Sequence, residues 1–205
     1  MKLFNRGTPL VCTALLFTFA LFGCSENVKD EEIVVAPLHA TYSIDVSNIN
    51  AVVGDADNVF VGYVEKLEGT EYKFPVTVET EDGTKEVAHP YTNYSITVID
   101  NIKGALKADT TIPVQKSGGL SEDQDMYILY ENDMLPVEGK YYIFNTYNQP
   151  DGSILISGVN SNIELNSLTR NNDFSNTKEF KEYKTAVKNQ VMSDRERFET
   201  NNYSE

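Results

Sequence analysis

The chain contains few side chains that could act as a nucleophile or bind zinc. Its histidines are His39 and His89, and its cysteines are Cys12 and Cys24. Neither histidine belongs to a spacing that zinc sites use, such as H-x-x-x-H. No plausible histidine–nucleophile pair stands out, so an acyl-transfer triad has little support. We therefore predict no zinc-dependent and no nucleophilic catalysis, and we expect both histidines to lie in exposed loops.

Acidic side chains could supply a cation site or carboxylate chemistry. They form three clusters: Asp55 with Asp57, Glu122 with Asp123 and Asp125, and Glu131 with Asp133. Calcium prefers oxygen ligands of this kind, but no cluster follows the D-x-D-x-D-G loop with its closing glutamate. We therefore expect solvated loops, and we predict no metal and no cofactor. Two carboxyl groups across one cleft would suit glycoside chemistry, so an envelope hydrolase, or an accessory subunit of one, that uses Asp123 and Asp125 stays open as an alternative.

Tyrosine is abundant, with 12 residues, and tryptophan is absent. Tyr127, Tyr130 and Tyr142 could line a groove for a peptide or a glycan, because an aromatic ring offers both an apolar face and a polar tip. Packing within a tyrosine-rich β domain explains the same residues. These three tyrosines are the candidate binding residues, and the acidic loop 122–133 favours a cationic or neutral partner.

The last residue whose side chain could react or be modified is Cys24, which closes an apolar run. Lys2 and Arg6 give the chain a positive start, and residues 10–22 are almost wholly apolar. That run is shorter than the ~20 residues that a membrane-spanning helix needs. It is typical of the core of a signal peptide.

Leu21-Phe22-Gly23-Cys24 resembles the lipobox of bacterial lipoproteins. Leu21, Gly23 and Cys24 match the pattern, whereas Phe22 is bulkier than the usual residue at its position. The resemblance implies that residues 1–23 are a signal peptide and that a diacylglyceryl group is attached to Cys24. Two acyl chains give stable anchoring, so we expect a lipid-anchored protein on the extracytoplasmic face of the cell membrane. An ordinary signal peptide and an uncleaved N-terminal anchor are the alternatives.

The charge balance limits the partners. The chain has 17 Lys and Arg against 31 Asp and Glu, which gives a net charge of −14. Such a surface repels nucleic acids, so we predict no nucleic-acid partner. With Cys12 removed and Cys24 lipidated, the mature domain would hold no disulfide, and its core alone must stabilise it.

Local patterns predict mostly strands. Runs rich in β-branched and aromatic residues occur at 58–67, 91–102, 110–116, 126–130, 139–147 and 153–158. Glu81-Asp82-Gly83 between β-prone runs predicts a hairpin near 69–90. In the 91–102 strand, we expect Tyr94, Ile96 and Val98 to face the core.

Two helices are also predicted. The first is short and lies around 49–56, with Ser47 as its N-cap. Asn176-x-x-Glu179 resembles a capping box and predicts a C-terminal surface helix that reaches about Arg197. The expected organisation is an acidic tether at 24–40, a β domain at 41–165, and a loop, helix and frayed tail at 166–205.

The order of these elements resembles the netrin-like, tissue-inhibitor-of-metalloproteinases-like branch of the OB fold. The matching segments are Ala56 to Val64 with its Gly62, Tyr94-x-Ile96-x-Val98 with Ile102-Lys103-Gly104, and Gly139 to Phe144. The resemblance implies a small, partly open five-stranded barrel with helices packed against it. Together with the predicted helices, this gives an OB-like five-stranded barrel with a short N-terminal helix and a C-terminal surface helix. Those animal inhibitors chelate a protease zinc through a free N-terminal cysteine that disulfides hold in place. The mature domain lacks these features, so we do not expect metalloproteinase inhibition.

We therefore expect a membrane-anchored, non-enzymatic domain that binds a protein, a peptide or an envelope polymer. A hydrolase that uses its acidic residues and a surface spacer without a small ligand are the alternatives.

Overall fold

Strands dominate the part of the chain that the computed structural model describes, which is residues 34–80, 83–166 and 173–203. The elements are β1 (Val34–Leu38), α1 (Ile49–Asp55), β2 (Asn58–Thr80), β3 (Gly83–Lys103), β4 (Thr110–Ser117), β5 (Gly119–Leu120), β6 (Met126–Tyr130), β7 (Tyr141–Asn148), β8 (Ile154–Ile156), β9 (Asn162–Glu164) and α2 (Lys178–Lys188). A 3-10 turn, Phe174–Asn176, precedes α2. The predicted mostly β fold is confirmed. The predicted signal peptide and Cys24 lie outside the described residues.

Five strands pair in a ring. β2 pairs with β3, β3 with β4, β4 with β8, β8 with β7, and β7 with β2. The β4–β8 pair is parallel, whereas the other four pairs are antiparallel. The short strand β9 adds to β7 outside this ring.

The β2–β3 hairpin pairs from Val59, opposite Lys103, to Thr80, opposite Gly83. Gly62 lies opposite Val98 on one side and Tyr142 on the other, where three strands approach closely. Asp82 and Glu81 lie outside the described residues.

Alternation along the strands creates two apolar clusters. Tyr94, Ile96 and Val98 of β3 lie in the cluster inside the ring, as predicted, together with Phe60 and Phe144. The intervening positions of β2 and β7 belong to a second cluster, which α1 and α2 cover. Its members include Val53, Val59, Val61, Ile143, Phe180 and Tyr183. β7 and the first part of β2, up to Val64, are therefore buried on both faces.

β1 lies inside the range 24–40 that we assigned to the tether. It pairs in parallel with β6, from Val34 opposite Met126 to Leu38 opposite Tyr130, and forms a three-stranded sheet with β6 and β5. The prediction of a tether up to residue 40 is wrong for residues 34–38, because this apolar segment satisfies its backbone hydrogen bonds on β6.

Both predicted helix caps differ by one residue from the observed caps. Asn48, not Ser47, caps α1 and accepts from the Asn50 N–H, while Ser47 hydrogen-bonds Asp45. Thr177, not Asn176, caps α2 and accepts from the Phe180 N–H. Both are good N-cap residue types, so the sequence alone does not choose between neighbours.

α2 ends at Lys188, nine residues before the predicted end at Arg197. From Val191 the chain runs without regular secondary structure along α1, and the Val191 N–H donates to the Asn50 carbonyl oxygen. We call residues 189–203 the C-terminal strap. The predicted frayed tail is wrong up to residue 203, because Thr200 is buried and Tyr203 forms a β-bridge with Leu106.

Neither helix of the described chain is long and apolar enough to cross a membrane.

Candidate binding site

An open apolar groove of about 640 Å³ lies beside β6. Leu67 of β2, Tyr127 and Leu129 of β6, and the segment 133–138 line it. We call this surface the Tyr127 groove. Tyr127 and Leu129 share one face of β6 because side chains two positions apart in a strand point the same way.

The rim of the Tyr127 groove carries large apolar side chains that reach solvent. Leu67 is 41% exposed, Met134 is 53% exposed and Val137 is 51% exposed. β1 continues the same face, since Val35 lies opposite Tyr127 and Pro37 lies opposite Leu129. Contiguous exposed apolar surface of this kind marks an interaction site more often than an isolated exposed leucine does.

Three contacts hold the 133–138 segment in place. The Asp133 carboxylate pairs with Lys116, and the Val137 N–H donates to the Tyr142 hydroxyl at 3.0 Å. The Leu67 N–H donates to the Glu138 carboxylate at 2.6 Å, which ties the segment to β2. The Tyr127 groove is therefore preformed, and little ordering would be needed when a ligand binds.

The Lys116–Asp133 pair is the most deeply buried of these anchors. The ammonium of Lys116 lies 2.6 Å and 2.8 Å from the two Asp133 oxygens, and it also donates to Ser161 Oγ at 2.9 Å. Burial lowers the pKa of Lys116 to about 8, and burial raises the pKa of Asp133. Each partner supplies the hydrogen bonds that the other needs in the absence of water.

The structure does not bring the three predicted tyrosines onto one surface. Tyr127 lines the groove, but Tyr130 projects to the opposite face of β6, where its ring centroid lies 6.4 Å from that of His89. Tyr142 is fully buried, with its ring next to that of Phe144, and is not accessible to a partner. Its hydroxyl accepts from the Val137 N–H and so helps to hold the groove segment in place.

Sequence reasoning missed the 134–137 rim. Met134-Leu135-Pro136-Val137 is an apolar run within an otherwise polar loop. Four consecutive apolar residues outside any strand or helix are unusual unless they are functional. This run was the feature of the sequence that could have identified the rim.

The predicted acidic clusters have partners within the protein. Asp57 lies 2.6 Å from Arg195 and 2.9 Å from Arg197. Asp123 pairs with Lys85, and Asp125 accepts a hydrogen bond from Ser121. Across the described ranges, no three histidine, cysteine or acidic side chains are grouped so that they could hold a metal ion.

The two histidines occupy different environments. His39 is exposed and contacts Glu131 at 3.1 Å. The prediction of an exposed loop is wrong for His89, which lies in β3, is partly buried and places Nε2 2.9 Å from Ser117 Oγ. Burial lowers the pKa of His89.

No protein-family model matches the chain, and no curated protein is detectably similar to it in sequence. The arguments about function below therefore depend on the residues and their geometry.

Proposed function

We propose that this chain is a membrane-anchored lipoprotein whose β domain binds an apolar, cationic segment of a protein partner in the Tyr127 groove. The observation that carries the proposal is the groove itself, which presents Leu67, Met134 and Val137 to solvent on a preformed frame. Anchoring at Cys24 rests on the lipobox-like Leu21-Phe22-Gly23-Cys24.

The domain is, in this proposal, an OB-like barrel. The ring order β2-β3-β4-β8-β7, closed by the β7–β2 pair, supports it. The parallel β4–β8 pair supports it further, as does the position of both helices against the outer cluster. Such barrels host many unrelated ligands, so the function is argued from the groove and not from the fold.

Charge determines the class of partner. The net charge of the chain is −14, and Glu131 and Glu138 lie on or next to the rim segment. A segment that places Lys or Arg next to its apolar anchors complements this field, whereas an acidic segment or an anionic membrane surface is repelled.

In this proposal, the lipid on Cys24 tethers the domain through a short stretch of the sequence. Residues 25–33 separate Cys24 from β1, and β1 borders the groove. About ten extended residues span at most about 35 Å. We therefore expect the partner to be an envelope protein that exposes its basic segment close to the membrane surface.

Two synthetic peptides test the proposal. Both carry leucine and phenylalanine at alternate positions, separated by lysine in one peptide and by glutamate in the other. We expect the full chain in detergent micelles to bind the lysine peptide in fluorescence anisotropy, with an affinity that falls as salt is added. We expect no binding of the glutamate peptide.

Matched variants locate the binding. Met134→Ser and Val137→Ser, which remove apolar contact without adding charge, should each weaken the lysine peptide by at least about tenfold, which is about 1.4 kcal/mol. Val76→Ser is the control, because Val76 is 58% exposed and lies on the β2–β3 hairpin away from the groove lining. Equal binding of both peptides, or equal weakening by Val76→Ser, would show that the groove is not the site.

The anchor has its own test. Cys24→Ala should abolish lipid attachment and signal-peptide processing, and membrane fractionation with mass spectrometry of the N-terminus would detect both. An unmodified N-terminus at any residue after Cys24 in freshly made protein contradicts the lipoprotein proposal and leaves the groove proposal standing.

A further inference from the structure

One carboxylate in the lining of the Tyr127 groove is not neutralised by the described part of the chain. The acidic residues of this lining are Asp133 and Glu138. Asp133 is paired with the buried Lys116. Glu138 is exposed, and none of the ion pairs among the described residues includes it. The groove therefore presents an uncompensated negative charge beside its apolar side chains.

The neighbouring lysines are already used. Lys66, which precedes Leu67, pairs with Glu68. Lys140, two positions after Glu138, lies 2.7 Å from Glu164 Oε1. Because each ammonium group has its own carboxylate, a bound partner is the remaining source of a cation for Glu138.

The Glu138 carboxylate is held in a fixed position. The Leu67 N–H donates to Glu138 Oε1 at 2.6 Å. The flanking backbone is also tied down, since the Val137 N–H donates to the Tyr142 hydroxyl at 3.0 Å. The Gly139 N–H donates to the backbone of β2 at 2.9 Å. Exposed ion pairs usually contribute little because two flexible side chains must be ordered. Here the acidic side chain is ordered before binding, which lowers that cost.

Apolar side chains that reach solvent lie next to this carboxylate. Glu138 directly follows Val137, which is 51% exposed, and its Oε1 is bonded to the backbone of Leu67, which is 41% exposed. A partner side chain that packs on Leu67 and Val137 excludes water from this part of the groove. The attraction between Glu138 and a charge on the partner is then screened less than at an open surface.

A basic side chain fits this position better than a metal ion does. Calcium takes about six to eight oxygen ligands, and the oxygens of the other acidic residue in the lining, Asp133, are bound to Lys116. An ammonium or guanidinium group forms a strong hydrogen bond with a single well-placed carboxylate.

We infer that Glu138 is the specificity-determining residue of the Tyr127 groove. It pairs with a Lys or Arg side chain that is adjacent, in the partner segment, to the apolar residue packed on Leu67 and Val137. This inference rests on the function proposed above and names the residue that selects a basic partner.

Peptides with a single charge test the inference. In the parent peptide, leucine and phenylalanine alternate with glutamine, and each further peptide replaces one glutamine by lysine. Fluorescence anisotropy with the full chain in detergent micelles measures the affinities. We expect one lysine position to bind at least about fivefold more tightly than the parent peptide, which is within the range for a hydrogen bond to a charged group. Added salt should reduce this gain.

Two matched variants assign the gain to one carboxylate. Glu138→Gln removes the charge but keeps an oxygen that can accept from the Leu67 N–H, so it should bind the parent peptide normally and lose the gain from lysine. Glu131→Gln makes the same change in net charge outside the groove lining and should keep the gain. A full gain in Glu138→Gln, or an equal loss in Glu131→Gln, refutes the assignment.

The results for the original chain separate this inference from the proposed function. If the chain binds the parent peptide and every lysine peptide equally, the groove accepts apolar segments but Glu138 does not select a basic residue, and the inference is wrong. If the chain binds none of the peptides, the proposed function fails and the inference fails with it.

Discussion

Lys116 Nζ lies 2.6 Å from Asp133 Oδ2, and the two side chains are 0% and 2% exposed. The pair joins β4, a strand of the ring, to the segment that forms the rim of the Tyr127 groove. A buried ion pair of this kind contributes little net stability compared with apolar residues, but loss of one partner leaves the other charged and unsolvated.

We therefore predict that Lys116→Met destabilises the domain by about 3–5 kcal/mol, because it leaves the Asp133 carboxylate buried without its cation. The double variant Lys116→Met with Asp133→Leu should recover most of that loss. Urea unfolding followed by circular dichroism measures both values. If the double variant were as unstable as the single one, the ion pair would contribute more stability than is needed to offset the cost of burying its two charges.

Position 62 requires glycine because β2, β3 and β7 approach closely there and leave no room for a side chain. A Cβ at this position would lie 2.7 Å from Ile96 Cγ2 and 2.9 Å from a ring carbon of Phe144. Gly62→Ala should destabilise the domain by about 1–3 kcal/mol, and Gly62→Val should destabilise it further, because the core inside the ring is overpacked. Denaturant unfolding measures the series, and a neutral Gly62→Val would contradict the observed packing.

Some features of this fold were predictable from the sequence for a clear reason. The alternation at Tyr94, Ile96 and Val98 identifies a buried face because strand side chains repeat every two residues. β7 gives no such signal, since Tyr142 and Ile143 are both fully buried and belong to different clusters. Tyr142 therefore lies in the core, as the packing alternative expects, and not on a surface that a partner could reach.

Other features depend on contacts between residues far apart in the chain. α2 ends at Lys188 although apolar periodicity continues to Val191, because the strap finds stronger partners on α1. Arg197 donates to the Gly54 carbonyl oxygen at 2.7 Å and pairs with Asp57 at 2.9 Å. Nothing near Arg197 in the sequence reveals those acceptors. The Tyr127 groove escaped prediction for the same reason, since Leu67 and Met134 meet only in the folded chain.

The C-terminal strap should detach when a methyl group is added at Gly54. A Cβ there would lie 1.9 Å from the Val191 carbonyl oxygen, a backbone atom that cannot rotate away. We expect Gly54→Ala to displace the strap and to expose Arg195 and Arg197 to trypsin, which cleaves after arginine. Limited proteolysis with mass spectrometry would detect the new fragments.

Val191→Ala is the matched control for the strap. Its side chain is exposed and only its backbone contacts α1, so trypsin should cleave this variant as slowly as the original chain. If trypsin cleaved Gly54→Ala as slowly as the original chain, the strap would tolerate the added methyl group, and the contact between Gly54 and Val191 would not hold the strap on α1.

Stability should rise with pH between about 8 and 10 because of Lys103. Its ammonium donates to the Val53 and Ala56 carbonyl oxygens at the C-terminal end of α1. Burial, with the nearby Arg197 guanidinium, lowers the pKa of Lys103 to about 8 from the ordinary 10.5. Between these values the unfolded chain binds more protons than the folded chain, so the free energy of unfolding increases with pH. Lys116, whose pKa is also lowered to about 8, acts in the same direction.

Above pH 10 the sign reverses. Burial raises the pKa of Tyr94 and of Tyr147 above the ordinary 10.0. The folded chain then keeps protons that the unfolded chain loses, so the free energy of unfolding should fall. Lys103→Met should remove part of the rise between pH 8 and 10 and leave the fall above pH 10, whereas Lys107→Met, at an exposed lysine, should change neither. Urea unfolding at several pH values measures both slopes. A Lys103→Met chain with the full original rise would show that this lysine keeps its proton in the folded state.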